Sequence, residues 1–217
     1  MKKKLVILCH AFAVFAAIPL YAQSSIGIMA GPTAATISGS YVESSSGLEL
    51  GFSGGLVLDR QLGSRYILMS GIGWIQKGGK KLKLADHDES TIGYRFSYIQ
   101  IPVYFKVLFP IANNWSIAPF SGVFFASNGG ANWKEGHRFE FEETVDDNSP
   151  GGNVKKFEFG IPLGVDFIKE FEGGSRMYLG TRLDLGLTDV FEGAKELGFG
   201  TTNRVLSVIF GFTIPLQ

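Results

Sequence analysis

The amino-acid sequence predicts an all-β fold: an eight-stranded antiparallel up-and-down transmembrane β-barrel, preceded by a cleavable signal peptide. Three observations predict it: a leader pattern at the N-terminus, period-two alternation of apolar residues along the rest of the chain, and connections that are alternately short and long. Hydrophobic residues make up 45% of the chain, which is too few for a bundle of membrane-spanning helices. The 29 glycines and 19 phenylalanines suit a curved, turn-rich sheet better than helices.

The N-terminus has the three parts of a secretory signal peptide. Lys2, Lys3 and Lys4 form a basic start, an uncharged apolar run follows from Leu5 to Leu20, and Ala22 offers a small residue for cleavage. The competing interpretation is an uncleaved anchor, but the run of 16 residues is shorter than the roughly 20 that span a bilayer. We therefore predict a signal peptide at residues 1–22 and a barrel domain at residues 23–217.

Charge and cysteine content argue against a nucleic-acid-binding protein and against a domain stabilised by disulfides. The chain has 20 basic and 20 acidic residues, and this balance gives no indication of nucleic-acid binding. Cleavage would leave 17 basic against 20 acidic residues, because the leader holds three lysines and no acid. Cys9, the one cysteine, also lies in the leader, so the exported domain has no disulfide to stabilise it. A closed barrel in lipid would supply that stability.

Period-two alternation, the signal of a strand, is clearest in four segments: 97–108, 156–170, 177–187 and 206–214. Their apolar rows are Ile99, Ile101, Val103, Phe105 and Val107; Phe157, Phe159, Ile161, Leu163, Val165 and Phe167; Met177, Leu179, Leu183, Leu185 and Leu187; and Leu206, Val208, Phe210, Phe212 and Ile214. Segments 25–36, 48–59, 65–77 and 115–127 also read as strands, but their facing stays undecided. Eight strands result, each near the 9–11 residues of a tilted membrane strand.

The lengths of the connections alternate along the chain. Residues 59–64, 110–114 and 170–174 form short connections, whereas residues 37–47, 78–93, 128–153 and 188–203 form long ones. Outer-membrane barrels have short periplasmic turns and longer external loops. An even number of strands then places both termini in the periplasm.

The opposite row on the clear strands carries the charged residues Lys106, Glu158, Asp166, Arg182 and Asp184. We expect this row to face the interior, because a lysine or arginine facing lipid at mid-depth costs about 2–4 kcal/mol. Glycines on the same row would leave room for larger side chains. Eight strands enclose an interior that side chains fill, so a wide diffusion pore is not expected.

The alternative is a secreted soluble barrel of the lipocalin type, in which the phenylalanine rows surround a ligand cavity. Aromatic residues near the strand ends, namely Tyr66, Trp74, Tyr94 and Trp115, would form interface girdles in the membrane barrel. They are equally compatible with ordinary positions in a sheet.

Several short motifs, in this order, resemble the PorT-like outer-membrane β-barrel proteins. They are Ile26-Gly27-Ile28 with Gly31, Gln76-Lys77-Gly78-Gly79, Tyr98-Ile99-Gln100-Ile101-Pro102, Phe159-Gly160 with Leu163-Gly164, and Arg182 with Gly186-Leu187-Thr188. The resemblance implies an outer-membrane location, and one branch of the family takes part in a dedicated protein secretion system. The chain departs from many such barrels by ending in Ile214-Pro215-Leu216-Gln217 rather than in an aromatic residue.

Residues that could carry chemistry are sparse. A hydrolase active at the rim would need a nucleophile and a base, and after cleavage only His87 and His137 remain as histidines. His87 has Asp86, Asp88, Glu89 and Ser90 as chain neighbours, but contiguous residues rarely form a triad, so a solvated loop is the preferred interpretation. We predict no catalytic residue, no cofactor and no metal site. The acidic runs 86–89 and 146–148 do not follow the spacing of a calcium-binding EF-hand.

Two predicted external connections carry charge. Lys77, Lys80, Lys81 and Lys83 form a basic patch that either contacts lipopolysaccharide phosphates or only solubilises a strand edge, and the second is preferred. In the acidic third connection, residues 138–142 still alternate and are expected to extend the fifth strand and pair near 154–159. Lys155 and Lys156 would then lie near glutamates.

The sequence thus predicts a non-enzymatic outer-membrane barrel with a structural, interaction or secretion-associated role. Its expected partners are outer-membrane lipid and, beyond that, lipopolysaccharide or other envelope proteins. We expect a monomer, and no motif identifies a cargo.

Overall fold

A computed structural model describes residues 23–39, 42–84, 92–135, 143–144, 154–191 and 200–216. The predicted signal peptide lies outside the described residues and stays a prediction. Within the described ranges, no helix is long and apolar enough to cross a membrane.

The described chain is built from eleven strands. They are β1 (Ser24–Gly39), β2 (Val42–Gly47), β3 (Glu49–Leu62), β4 (Tyr66–Leu84), β5 (Ile92–Val107), β6 (Phe109–Ala112), β7 (Trp115–Glu135), β8 (Glu143–Thr144), β9 (Phe157–Glu170), β10 (Arg176–Gly186) and β11 (Thr201–Pro215).

Eight of these strands close into a barrel. Each pairs antiparallel with the next in the order β1, β3, β4, β5, β7, β9, β10 and β11. β11 then pairs with β1, with Ile28 opposite Phe212, and closes the sheet. The short strands lie outside this ring: β2 pairs with β4, and β6 and β8 pair with β7. The predicted eight-stranded up-and-down barrel is confirmed.

The two ends of the barrel differ as predicted. At the short-turn end, the β3–β4 and β9–β10 turns use positive φ at Gly63, Gly173 and Gly174, a conformation that glycine adopts at little cost. Gln23 and Leu216 lie at this end, where Leu216 N donates to Ser24 O over 2.7 Å. At the long-connection end, β4 and β7 continue seven or eight residues beyond their predicted ends at 77 and 127.

The four clear strands face as predicted. Phe167, Leu179 and Phe210 project outward with 45%, 51% and 54% of their surface exposed. Lys106, Asp166 and Asp184 project inward and are almost completely buried. The arrangement of a soluble barrel, with the phenylalanine rows around a central cavity, is therefore wrong.

Facing is now defined for the four weak strands as well. The inward rows of β4 and β7 are mainly apolar, with Ile67, Met69 and Ile75 on β4 and Ala118, Phe120, Phe124 and Ala126 on β7. The inward rows of β1 and β3 mix apolar residues and glycines with buried polar ones, namely Ser25, Thr33, Glu49, Ser53 and Asp59. The outward rows are apolar, with Ile28, Leu56, Ile72 and Phe125 exposed. Alternation was weak in these segments because the inward rows do not differ consistently in polarity from the outward ones.

The aromatic residues near strand ends divide between the two faces. Tyr66 and Trp115 lie beside the short turns with 44% and 36% exposure, and Trp74 lies on the outer face with 38% exposure. Tyr94 is completely buried and belongs to the interior. The girdle interpretation is therefore wrong for Tyr94, because its position on β5 alternates in phase with the inward residues Tyr98 and Gln100.

Candidate functional site

The interior of the barrel is the part of the chain with the densest polar and aromatic contacts. Glycines of β9 make its packing possible. A Cβ atom at Gly160 would lie 2.4 Å from the ring of Phe124, and one at Gly164 would lie 2.4 Å from the ring of Phe120. The two phenylalanines of β7 therefore occupy space that the glycines leave free, as expected for small residues on the inward row.

An ion pair lies in the half of the interior nearer the long connections. Lys77 Nζ is 3.2 Å from Glu158 Oε1, and both side chains are almost completely buried. The ammonium group also lies over the rings of Phe124 and Tyr98, at 4.3 and 5.1 Å from their centroids, where cation–π attraction adds to the pair. Asn203 Nδ2 donates to Glu158 Oε2 over 3.1 Å.

The position of Lys77 corrects the predicted basic patch. Lys77 was expected on an external surface, but its place in the inward row of β4 turns it into the lumen. Lys80 does lie near the surface, and its Nζ is 3.3 Å from Glu49 Oε2. Arg95 Nε donates to Glu49 Oε1 over 2.7 Å, so one glutamate joins both cations. The side chains of Lys81 and Lys83 lie outside the described part of the structure.

A second polar group occupies the middle of the barrel. Lys106 Nζ lies 2.5 Å from Asp166 Oδ2, with both side chains buried. Asp184 accepts from Gln100 Nε2 over 3.0 Å and lies 3.4 Å from Arg182 Nε. Arg182 also donates to the hydroxyl of Tyr104. Opposite charges are thus paired, between β5 and β9 and within β10, which is what a low-dielectric interior requires.

A third polar group lies at the short-turn end and is centred on Asp59 of β3. Its carboxylate accepts hydrogen bonds from Tyr178 and from Thr213, and Arg176 Nη1 lies 3.5 Å away. Arg176 also bonds Gln61, and Glu170 lies 3.7 Å from its Nε atom. These contacts join β3, β10 and β11 across the lumen.

At the long-connection end, the chain after β10 turns into the mouth of the barrel. Val190 and Phe191 are almost completely buried there. The ring of Phe191 packs edge-on against Tyr94 and Phe96, with centroids 5.1 and 6.3 Å apart. Since the same aromatic cluster continues to Tyr98 and Phe124, it covers the lumen from this side.

Backbone contacts hold this segment in place. Lys155 N donates to Val190 O over 2.7 Å, and Val190 N donates to Thr201 O over 2.8 Å. Lys155 Nζ lies 3.4 Å from Asp189 Oδ2. Among the described residues, Lys155 pairs with Asp189, and Lys156 Nζ lies 5.9 Å from the centroid of the Phe157 ring. The glutamates expected near Lys155 and Lys156 have side chains outside the described part of the structure, so that expectation stays a prediction.

The residues considered for catalysis or calcium are not among those that the structure describes. His87 and His137, the acidic runs 86–89 and 146–148, and the extension expected at 138–142 fall outside the described residues. β7 does extend above its predicted end, to Glu135, and pairs there with β8. No catalytic, cofactor or metal residue was predicted, and nothing in the described chain tests that prediction.

Sequence reasoning missed the interior aromatic cluster. Tyr94 and Phe96 continue the period-two row of Tyr98 directly before the predicted strand 97–108. That spacing was a usable signal, because aromatic residues at alternate positions share one face of a strand. Nothing in the sequence identified Asp59 as a partner of Tyr178, which lies 119 residues further along the chain.

The chain is similar in fold to several solved structures. OprG from Pseudomonas aeruginosa matches with a TM-score of 0.52 at 10% identity, over 89% of this chain and 97% of that chain. Neisserial surface protein A matches with a TM-score of 0.46 at 14% identity, over 89% and 97%. Ail of Yersinia pestis, solved in complex with the heparin analogue sucrose octasulfate, matches with a TM-score of 0.45 at 11% identity, over 89% and 99%.

These likenesses concern the fold alone, and no curated protein matches the chain. A family model described as "Outer membrane protein beta-barrel domain" matches residues 21–192, which is most of the chain. The apolar outer face, the closed sheet and this match agree, and the chain belongs to the outer membrane protein beta-barrel domain family.

Proposed function

We propose that this outer-membrane barrel is a non-enzymatic protein whose role is performed by its long-connection end, as an interaction or structural element of the envelope. The observation that carries the proposal is the filled interior. Three buried polar groups and two aromatic and aliphatic clusters occupy the lumen from the short turns to the mouth. A barrel packed in this way favours a role at its surface over transport through its centre.

The strand lengths also favour the long-connection end as the part of the barrel that performs the role. The outward row of β11 is apolar from Leu206 to Ile214 and becomes charged at Arg204. Those nine residues match the length of a tilted membrane strand. β4, β5 and β7 continue past this level, so the sheet formed by β2, β4, β5, β7 and β8 projects beyond the apolar band.

We further propose that the termini and short turns lie in the periplasm and that the long connections lie outside the cell. The partners we favour are outer-membrane lipid with its lipopolysaccharide, and other envelope proteins. A role in protein secretion, as the resemblance to PorT-like proteins implies, is the finer form of the same proposal.

Two measurements test the proposal. In planar bilayers, the purified full-length protein is expected to show no stable ion-conducting steps, because the lumen is filled. On intact cells, an added protease is expected to cleave only within residues 136–153 or the other long connections. Steady conductance steps, or cleavage from outside at the turn 171–175, would contradict the proposed role and orientation respectively.

A further inference from the structure

A cavity of about 50 Å³ lies against the wall formed by β3, β4 and β5. Gln100, Tyr104 and Arg182, whose side chains belong to the interior, line one part of it, and Leu56, Ile72 and Trp74 line another. Leu56 and Ile72 are 56% and 52% exposed on the outer face. Because the wall of the barrel is a single sheet, a cavity that reaches both sets of residues marks a thin place in that wall.

The barrel wall is thin at this place because glycines face each other on β3 and β4. Gly55 lies directly opposite Gly73, and Gly71 lies opposite Val57. Glycine carries no side chain, so the inward row here leaves the wall uncovered from within. The alternation places Gly55, Gly71 and Gly73 in phase with the inward residues Val57, Met69 and Ile75.

The pairing of β4 with β5 is also interrupted at this level. Partners run as far as Ser70 with Val103 and resume at Gly73 with Gln100. Pro102 lies in the gap, and proline has no N–H to give to a neighbouring strand. The hydroxyl of Ser70 donates to Pro102 O over 3.1 Å and satisfies a carbonyl that the ladder leaves open.

A similar gap at a proline, again with a serine hydroxyl bonded to the proline carbonyl, lies between β7 and β9 and shows what makes the first one different. Partners stop at Ser121 with Leu163 and resume at Phe124 with Gly160, and Ser121 Oγ donates to Pro162 O over 3.2 Å. There the rings of Phe120 and Phe124 fill the space inside the wall. At Pro102 the corresponding space is the cavity, since the inward residues of β4 at this level are Gly71 and Gly73.

The interior side of the cavity carries polar atoms without hydrogen-bond partners. Gln100 is 4% exposed; its amide nitrogen donates to Asp184, whereas Oε1 has no hydrogen-bond partner among the described residues. Arg182 Nε forms an ion pair with the other oxygen of Asp184 at 3.4 Å, but it has no hydrogen bond within the described part of the chain. An acceptor of Gln100 and a donor of Arg182, two residues that both contact Asp184, are thus without hydrogen bonds there. A buried polar group without a partner is costly, so these atoms favour a ligand that supplies one.

We propose that this cavity is a binding site for the hydroxyl head of a small alcohol that enters from the membrane. A hydroxyl group is donor and acceptor at once, so it can donate to Gln100 Oε1 and accept from Arg182 Nε. The volume is well below the roughly 150 Å³ of a cavity that holds benzene, so it takes only the head of such a molecule. The apolar part lies between Leu56, Ile72 and Trp74.

The fluorescence of Trp74, which lines the cavity, can report binding, because bromine quenches indole fluorescence on contact. The probe is 2-bromoethanol, and bromoethane, which lacks the hydroxyl group, is the matched compound. The full-length protein carries Trp115→Phe and Trp133→Phe, so that Trp74 is its one indole, and is placed in phosphatidylcholine vesicles. A second protein retaining only Trp115, which is exposed on the outer face of β7, reports simple partitioning of each probe into the bilayer.

We expect 2-bromoethanol to quench Trp74 along a saturating curve, while bromoethane quenches it linearly and both quench Trp115 linearly. With four non-hydrogen atoms, the probe should half-saturate at about 0.05 mM or above. Gln100→Met removes the acceptor and should raise the half-saturating concentration about tenfold, the share of one hydrogen bond. Val57→Leu, at another lining residue, should fill the cavity and abolish saturation.

The Val57→Leu variant keeps the proposal testable if Gln100→Met does not fold, because it adds one methylene and leaves every polar contact intact. Linear quenching of Trp74 by both compounds would overturn the proposal. So would a saturating curve that is unchanged in a folded Val57→Leu protein.

Discussion

Two sectors of the barrel wall contribute different side chains to the lumen. The aromatic sector, formed by β4, β5 and β7, supplies bulk and positive charge, with Phe120, Phe124, Lys77 and Lys106 pointing inward. The glycine sector, formed by β9, β10 and β11, supplies space and most of the negative charge, with Gly160, Gly164, Glu158, Asp166 and Asp184 pointing inward.

The comparison shows that the interior is packed by complementarity between strands rather than by similar side chains everywhere. The inward phenylalanines of β7, Phe120 and Phe124, pack against glycines of the adjacent strand β9. The inward lysines Lys77 of β4 and Lys106 of β5 pair with acids of β9. Neither sector could fill an eight-stranded lumen alone: two aromatic sectors would collide, and two glycine sectors would leave it empty.

Removing one charge from a pair between the sectors should have the largest effect. Asp166→Leu leaves the ammonium of Lys106 buried without a partner, and we expect a loss of about 3–5 kcal/mol in the free energy of unfolding. Urea unfolding in lipid vesicles, followed by tryptophan emission, measures it.

The matched control is the double variant Lys106→Met with Asp166→Leu. Because it removes both charges and keeps the volume, it should recover most of the lost stability. If the double variant is no more stable than Asp166→Leu alone, the pairing between the sectors is not the source of the effect.

Filling a glycine should cost less. Gly164→Ala places a Cβ atom against the ring of Phe120, and we expect a loss of about 1–3 kcal/mol from overpacking. The same unfolding experiment measures it. Phe120→Leu in the same chain should return part of this loss, but not all of it, since the carbonyl oxygen of Thr181 also lies 2.4 Å from the new atom.

A Gly130→Ala variant is the control for adding a methyl group to a strand, because a Cβ atom there meets no atom of the described residues within 4 Å. Equal losses for Gly130→Ala and Gly164→Ala would show that the fit between Phe120 and Gly164 contributes nothing to stability.

The smallest effect is expected at the rim, where the sectors no longer face each other. Lys155 is about one-third exposed in its pair with Asp189, so Lys155→Ala should cost no more than about 1 kcal/mol. The cost should shrink at high salt, which screens exposed charges but not the Lys106–Asp166 pair. If Lys155→Ala lowered the free energy of unfolding by more than Asp166→Leu does, at low and high salt alike, then the rim pair would stabilise the barrel more than the interior pair, contrary to the prediction.

Sequence alone determined the architecture of this chain and the facing of half of its strands. Glu158, Asp166, Arg182 and Asp184 alternate with apolar residues, and lipid tolerates only one of those two rows, so period and polarity together define the outer face. The alternating lengths of the connections defined the two ends in the same way. These are local patterns, so strand facing can be predicted from them without knowing which residues lie across the lumen.

Only the tertiary structure decided the facing of β1, β3, β4 and β7, the burial of Lys77 and Tyr94, and the pairing of Lys155 with Asp189. On β4 and β7 both rows are mainly apolar, and on β1 and β3 the inward row mixes glycine and apolar residues with a few polar ones, so apolar alternation carries little signal on any of the four. Which partner a buried charge finds depends on strand register and on closure of the barrel. Both are properties of residues far apart in the chain and close together only in the folded protein.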